Sequence, residues 1–279
     1  MQWSHCVSKL NVLSVPLVLE PVSEHIVSDR RFGGLDRLYG VSGAARIRAA
    51  HVVVVGVGGV GSWTVEALAR SGVGRLTLID LDNVSESNIN RQIHALDDTL
   101  GMAKVEAMRQ RIAHINPECV VTCIEDFVDT NNWPSLLNGT EVDAVIDACD
   151  QVKAKTVMAA WALKQRVLFI TVGAAGGKRQ AHKVDIDDLS NTSHDPLLAK
   201  LRYNLRREHG AARDGKKIGI ACVFSREAVA PPDASCDVQG DGSLNCSGYG
   251  SVVSVTATFG QCAAGWVFDQ ISSHPLLKA

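Results

Sequence analysis

An α/β architecture, with a mostly parallel sheet and helices on both faces, follows from three features of the amino-acid sequence. Apolar, β-branched runs recur at 51–56, 75–80, 142–146 and 166–172. Segments with apolar residues at helical spacing separate them. The first run leads directly into a glycine turn, Gly56-Val-Gly58-Gly59-Val-Gly61. Strands buried on both faces read as continuous apolar runs, and strands alternating with helices build a parallel sheet. The glycine turn at a strand–helix junction makes the unit Rossmann-like.

Composition sets the limits. The chain has 279 residues, 46% apolar and 21% charged. At roughly 150 residues per domain, this allows two domains or one large α/β domain. Residues 31–279 read as one domain. Its nucleotide-binding half is 31–172 and its substrate-facing half 173–279. Disorder is excluded as the dominant state, because this much apolar surface offsets chain ordering. A multi-span membrane protein is excluded by charge spread along the chain. The formal net charge is −2, so any nucleic-acid contact must come from a local patch. Eight cysteines, with no CxxC pair, do not make a disulfide scaffold or zinc knuckle. Free thiols in a reducing cytoplasm are the reading.

Residues 1–30 read as a poorly ordered extension. The apolar run at 10–19 is broken by Ser14 and Pro16, and is too short to span a bilayer. The run at 51–55 is then a buried strand. Residues 62–70 follow as a helix, with Val65, Leu68 and Ala69 on one side. Glycine permits positive φ and close approach of backbone to a phosphate. The helix N-terminus adds free N–H groups and a partial positive charge. Asp80 ends the second strand about 20 residues after Gly61, where a carboxylate suits ribose hydroxyls.

The glycine motif alone also fits a nicotinamide enzyme. The next segment argues otherwise. Asp80-Leu-Asp82 is followed by Asn88-Ile-Asn90-Arg91-Gln92. Hydride transfer has no need of this polar run, whereas a triphosphate does. Arg91 can neutralise phosphate oxygens, Asn88 and Asn90 can hydrogen-bond the phosphate chain, and Gln92 can orient the segment. Lys104 follows on a helix whose buried side is marked by Val105, Met108, Ile112 and Ile115. It reads either as a point charge for phosphate or as a solvated surface lysine. The strand at 142–146 ends in Asp147-Ala-Cys149-Asp150. Ligands of open α/β sheets sit at the carboxyl ends of strands, so Asp150 is placed to hold Mg²⁺ against phosphates, with Asp147 in support. Asp150 equally suits a helix N-cap, since 152–163 reads as a helix.

Together, GVGGVG (56–61), DLD (80–82), NINRQ (88–92), Lys104 and DACD (147–150) resemble the ATP-dependent adenylating enzymes related to ubiquitin-activating enzyme. The molybdopterin- and thiamine-biosynthesis adenylyltransferases belong to that superfamily. The resemblance implies ATP and Mg²⁺ as cofactors and a ubiquitin-activating-enzyme-like fold. It implies that Asp80 holds the ribose, that Asn90, Arg91 and Lys104 bind the phosphates, and that Asp150 serves the metal. RFGGLDRLYG (31–40), NRQIHAL (90–96), DPLLAKLR (195–202), ACVFSREA (221–228) and VTATFG (255–260) are similar to the tRNA threonylcarbamoyladenosine dehydratase family. That resemblance implies tRNA rather than DNA as partner, a homodimer, and cyclisation of a modified adenosine beside the anticodon. Superfamily members also contribute an arginine from the partner subunit, and Arg31 and Arg37 are the candidates.

The second half carries the remaining expectations. The strand at 166–172 precedes a flexible turn, Gly173-Ala-Ala-Gly-Gly177, and the sheet gains an antiparallel extension. Residues 196–207 form a helix. Within 200–217, seven cations face only Glu208 and Asp214, a basic segment suited to tRNA or simply a solvated face. Cys236 and Cys246 are the only cysteines in a loop suited to thioester or sulfur chemistry, and a sulfur-transfer partner stays open. The uncharged run at 244–268 suits a buried helix or subunit contact better than a membrane span, and membrane association stays open. Three functions remain. The first is ATP-dependent dehydration of threonylcarbamoyladenosine in tRNA. The second is adenylation of the C-terminus of a ubiquitin-like or sulfur-carrier protein. The third is an NAD(P)-binding oxidoreductase.

Overall fold

A computed structural model describes residues 30–233, 235 and 249–273. Residues 1–29 of the expected extension at 1–30 and the two loop cysteines, Cys236 and Cys246, lie outside the described residues.

The described chain runs through α1 (Gly33–Ala49), β1 (His51–Val55), α2 (Gly61–Arg70), β2 (Arg75–Ile79), α3 (Lys104–Ile115), β3 (Val120–Ile124) and β4 (Ala144–Asp147). It continues through α4 (Val152–Gln165), β5 (Leu168–Val172), β6 (Val184–Asp188), α5 (Pro196–Glu208), β7 (Ala221–Ser225) and α6 (Val253–Ser273). The seven strands form one sheet in the order β3-β2-β1-β4-β5-β7-β6. All pairs are parallel except β6 with β7, the antiparallel extension.

Alternation along the strands explains the two layers of helices. Val52 and Val54 of β1 join Leu76, Leu78, Ile146 and Ile170 on the face covered by α2, α3 and α6. Val53 and Val55 join Val145, Phe169 and Phe224 on the face covered by α4 and α5. Both faces are apolar, so the strands read as continuous runs rather than alternating ones.

The uncharged run near the C-terminus is resolved in favour of a buried helix. α6 packs along α2 and α1, with Val255, Phe259, Ala263 and Val267 fully buried. The backbones nearly touch, since a Cβ on Gly260 would lie 2.5 Å from Val60 O. This face is spent within the chain. No helix among the described residues is long and apolar enough to cross a membrane. The large exposed apolar side chains of α1 are Leu38 (72%) and Val41 (73%).

Candidate active site between β1 and β4

The connections leave β1 toward β2 on one side and β4 on the other, which opens a crevice at their carboxyl ends. Val55 pairs with Asp147, so the glycine turn and the Asp147–Asp150 segment leave the sheet side by side. Gly56 has φ +84°, and a Cβ there would lie 2.8 Å from Cys149 N. A Cβ on Gly61 would fall inside the Gly56 carbonyl, at 1.8 Å. These two glycines are required by the fold of the turn itself. Gly58 and Gly59 are different: the nearest atoms to their added Cβ positions belong to Gln92, at 3.9 Å, and Arg91, at 3.3 Å. The polar arm is folded over the outer surface of the turn.

Asp80 ties the turn to the end of β2. Its carboxylate accepts from Val57 N at 2.6 Å and from Asp82 N at 2.9 Å. Burial pushes the Asp80 carboxyl up, while the Lys104 ammonium and the two N–H donors pull it down; the net shift is upward. Lys104, the first residue of α3, donates to Asp82 at 2.6 Å and lies 4.0 Å from Asp80. Its side chain is only 7% exposed. The solvated surface lysine is therefore excluded, because α3 begins at the crevice and two carboxylates hold the amine there.

The arm has its own scaffold. Asn88 is buried, and its Oδ1 accepts from Ser85 N at 3.2 Å. Its carboxamide oxygen shapes the turn from within. Asn90 Nδ2 donates to Ser251 O, and Arg91 Nη1 donates to Ser87 O and Asn90 Oδ1. Trp63 Nε1, in the first turn of α2, donates to Arg91 O at 2.9 Å. Gln92 is buried, with Oε1 unpartnered among the described residues.

Asp147 departs from the supporting role expected of it. It is fully buried, and its carboxylate takes Lys155 Nζ at 3.1 Å and Thr171 Oγ1 at 2.5 Å. A carboxylate locked in this pair does not support a metal. Asp150 is exposed, and no hydrogen bond from its side chain is found among the described residues. No group of three His, Cys, Asp or Glu side chains able to hold a metal occurs among the described residues. A single free carboxylate fits Mg²⁺, which keeps several waters and binds one or two carboxylates plus substrate phosphates.

A model of the ThiF family matches residues 33–278. The chain belongs to the ThiF family. It is 44% identical over 245 residues to the tRNA threonylcarbamoyladenosine dehydratase of Haemophilus influenzae, covering 87% of this chain and 94% of that protein. It is similar to the solved structure of Escherichia coli tRNA N6-threonylcarbamoyladenosine dehydratase, TcdA, in complex with AMP. The TM-score is 0.79 at 43% identity, over 88% of this chain and 96% of that one. The same E. coli protein in complex with ATP matches with TM-score 0.79 at 42% identity, over the same shares of the two chains.

In this ThiF-family chain the described cysteines are poor nucleophiles. Burial pushes the Cys119 and Cys123 thiols up to about 11 and holds Cys149 and Cys222 well above their ordinary value. The thiolate is the reactive form, so none of these is poised to form a thioester. Arg31 and Arg37, the candidates to reach a partner's site, are both exposed beside the start of α1. Arg31 also lines a cavity of about 670 Å³ with Arg70, Arg111, His94 and His114.

Sequence reasoning missed Trp63, Lys155 and Ser251. Trp63 and Lys155 sit in helices whose apolar pattern gave no sign of a polar task. Ser251 lies in an irregular segment and is tied to the arm only by the tertiary fold.

Proposed function

We propose that this chain uses ATP to dehydrate threonylcarbamoyladenosine in tRNA. The observation that carries the reading is Arg91 folded over the glycine turn beside the Lys104–Asp82 pair, in a chain 44% identical to a dehydratase of that name. Backbone N–H groups at the start of α2 face the phosphates, and Asp80 supplies the ribose-facing carboxylate. Arg91 and Lys104 offset the charge that builds on the phosphates, the main demand of nucleotidyl transfer. The threonyl carboxylate attacks the α-phosphorus, and pyrophosphate leaves. A neighbouring atom of the same substituent then attacks the acyl carbon, and AMP leaves with the former carboxylate oxygen. The net change in the nucleoside is loss of one water. Intramolecular closure supplies up to about 7–11 kcal/mol of the barrier, so no protein thiol is needed.

Mg²⁺ held by Asp150 would neutralise phosphate charge in the same step. The chain is read as a cytoplasmic homodimer; the exposed Leu38 and Val41 of α1 are the described side chains best suited to subunit contact. A sulfur-transfer partner finds no support among the described thiols.

The test is pyrophosphate release from ATP with tRNA that carries threonylcarbamoyladenosine but not its cyclic form. Release that depends on this tRNA, with one water lost from the nucleoside, supports the reading. Release stimulated by a small carrier protein, without a nucleoside product, replaces it with carrier adenylation.

A further inference from the structure

A small pocket next to the arm has no part in the chemistry above. It encloses about 230 Å³ between three segments that meet beyond the carboxyl ends of β5 and β7. Gly177 and Arg179 come from the turn after β5, Pro231 and Pro232 from the segment after β7, and Tyr249 and Ser251 from the approach to α6.

Its walls are held in place by the backbone. Gly177 N donates to Gly250 O at 3.0 Å, and Ala230 N donates to Gly177 O at 2.8 Å. The Glu227 carboxylate accepts from Arg179 N at 3.0 Å and Gln180 N at 2.8 Å. Lys178, nearly without solvent exposure, donates its ammonium to Glu227 O at 2.9 Å and His194 O at 3.2 Å. Asn90 Nδ2 reaches Ser251 O at 3.0 Å, which fixes one wall to the residue before Arg91.

The size selects the occupant. Sites for drug-sized ligands occupy roughly 300–1,000 Å³, so this pocket suits one heterocyclic base and not a whole nucleotide. The lining supplies an aromatic ring and two proline rings, the exposed cation Arg179, the buried Lys178 and the Asp233 carboxylate. Bases displaced from a nucleic-acid stack are held on aromatic side chains, while cations meet the flanking phosphates. The reaction adds a distance constraint. The carboxylate that must reach the phosphates is joined to its adenine by a short substituent, so the base must lie close to Arg91. This pocket adjoins the arm directly.

We propose that the pocket receives the adenine ring of the tRNA nucleotide being dehydrated, with Tyr249 as its stacking surface. The proposal rests on the dehydratase reading. Tyr249→Ala is expected to raise KM for the tRNA substrate at least tenfold. ATP affinity by titration calorimetry and the melting temperature stay as in wild type. Tyr249→Phe, which keeps the ring, stays within twofold of wild type. If the alanine variant unfolds, Tyr249→Leu keeps an apolar side chain without the ring and is read the same way. Wild type should also bind an anticodon stem–loop carrying the modification more tightly than the unmodified one, and the ring-less variant should lose that preference. A ring-less variant with wild-type KM and an intact preference for the modified stem–loop overturns the base pocket alone. A wild-type chain without tRNA-dependent pyrophosphate release overturns the dehydratase reading and this proposal together.

Discussion

Lys155 Nζ lies 3.1 Å from both carboxylate oxygens of Asp147, and neither side chain reaches solvent. Lys155 also donates to Val172 O at 2.8 Å, and Cys149 Sγ donates to Asp147 at 3.0 Å. The network clamps the end of β4 to the end of β5 beneath α4. Burial opposes the charge on Lys155, but the Asp147 carboxylate prevails and holds the ammonium above its ordinary range. Removing one partner leaves an uncompensated buried charge, at a cost of about 3–5 kcal/mol. Lys155→Met and Asp147→Leu should each lose about that much stability in urea unfolding. The double variant should recover most of it, and losses that simply add would refute the pairing.

Arg91→Ala and Lys104→Ala should each lower tRNA-dependent pyrophosphate release by about 10²–10³-fold, the usual effect of removing one donor aimed at developing charge. The fold should survive both changes. Trp63 uses only the backbone carbonyl of Arg91, and Asp82 is exposed enough to be solvated once Lys104 is gone. Full activity in both variants, measured beside unchanged circular dichroism, would overturn their assignment.

Asp150→Asn should raise the Mg²⁺ concentration needed for half-maximal pyrophosphate release about tenfold or more, because phosphates alone then hold the cation. Asp147→Asn tests the opposite expectation: its chief effect should be on stability. An unchanged Mg²⁺ titration for Asp150→Asn would remove Asp150 from the metal site.

His94 should make folding pH-dependent. Burial, followed by the Lys104 and Arg111 charges, pushes its imidazole down to about 4, and neither ring nitrogen has a partner among the described residues. The unfolded chain titrates near 6.5. Between about 4 and 6.5 the unfolded chain binds a proton that the folded chain refuses, so stability is lost as pH falls through that window. The effect is on the order of 3 kcal/mol at its limit. Urea midpoints at pH 7 and 4.5 should fall more steeply for wild type than for His94→Gln. Equal slopes would refute it.

Salt should weaken tRNA binding through a smaller set of cations than the sequence counts. Arg202, Arg206 and Arg213 each donate to backbone carbonyls within the fold. Lys200 and Arg207 flank the half-exposed ring of Tyr203, at 5.3 and 5.1 Å. Replacing Lys200, Arg207, Lys216 and Lys217 with Gln should flatten the log–log salt slope by about one per phosphate contact removed. A slope that is already flat in wild type would exclude this segment as a tRNA surface.

Local pattern made much of the fold legible. The valines of β1, the glycine turn and the helical spacing of α2 are contiguous in sequence, and their physics is local. The antiparallel edge was anticipated, yet the pairing of β6 with β7 brings together segments from either side of α5. The uncharged run of α6 carried two meanings because burial against a partner and burial against the same chain require the same composition. Its seat along α2 shows burial of one face against the same chain. Lys104 was ambiguous for a related reason: its own helix shows that it is off the buried stripe, not that Asp82 stands within 2.6 Å of it.

The layout of the crevice was therefore readable from residue types and spacing: glycines at the strand end, a carboxylate on the next strand, and a polar arm beside them. Contiguous motifs carry such information because the backbone fixes their mutual placement within a few residues. The division of labour among the carboxylates was not readable. Asp147 and Asp150 stand three positions apart in one short segment; one is sealed against Lys155 and Thr171 and the other faces solvent. The meeting of Asn90 with Ser251 was equally hidden. Burial and partners across such sequence distances are properties of packing, set when the sheet and its helices close around the crevice.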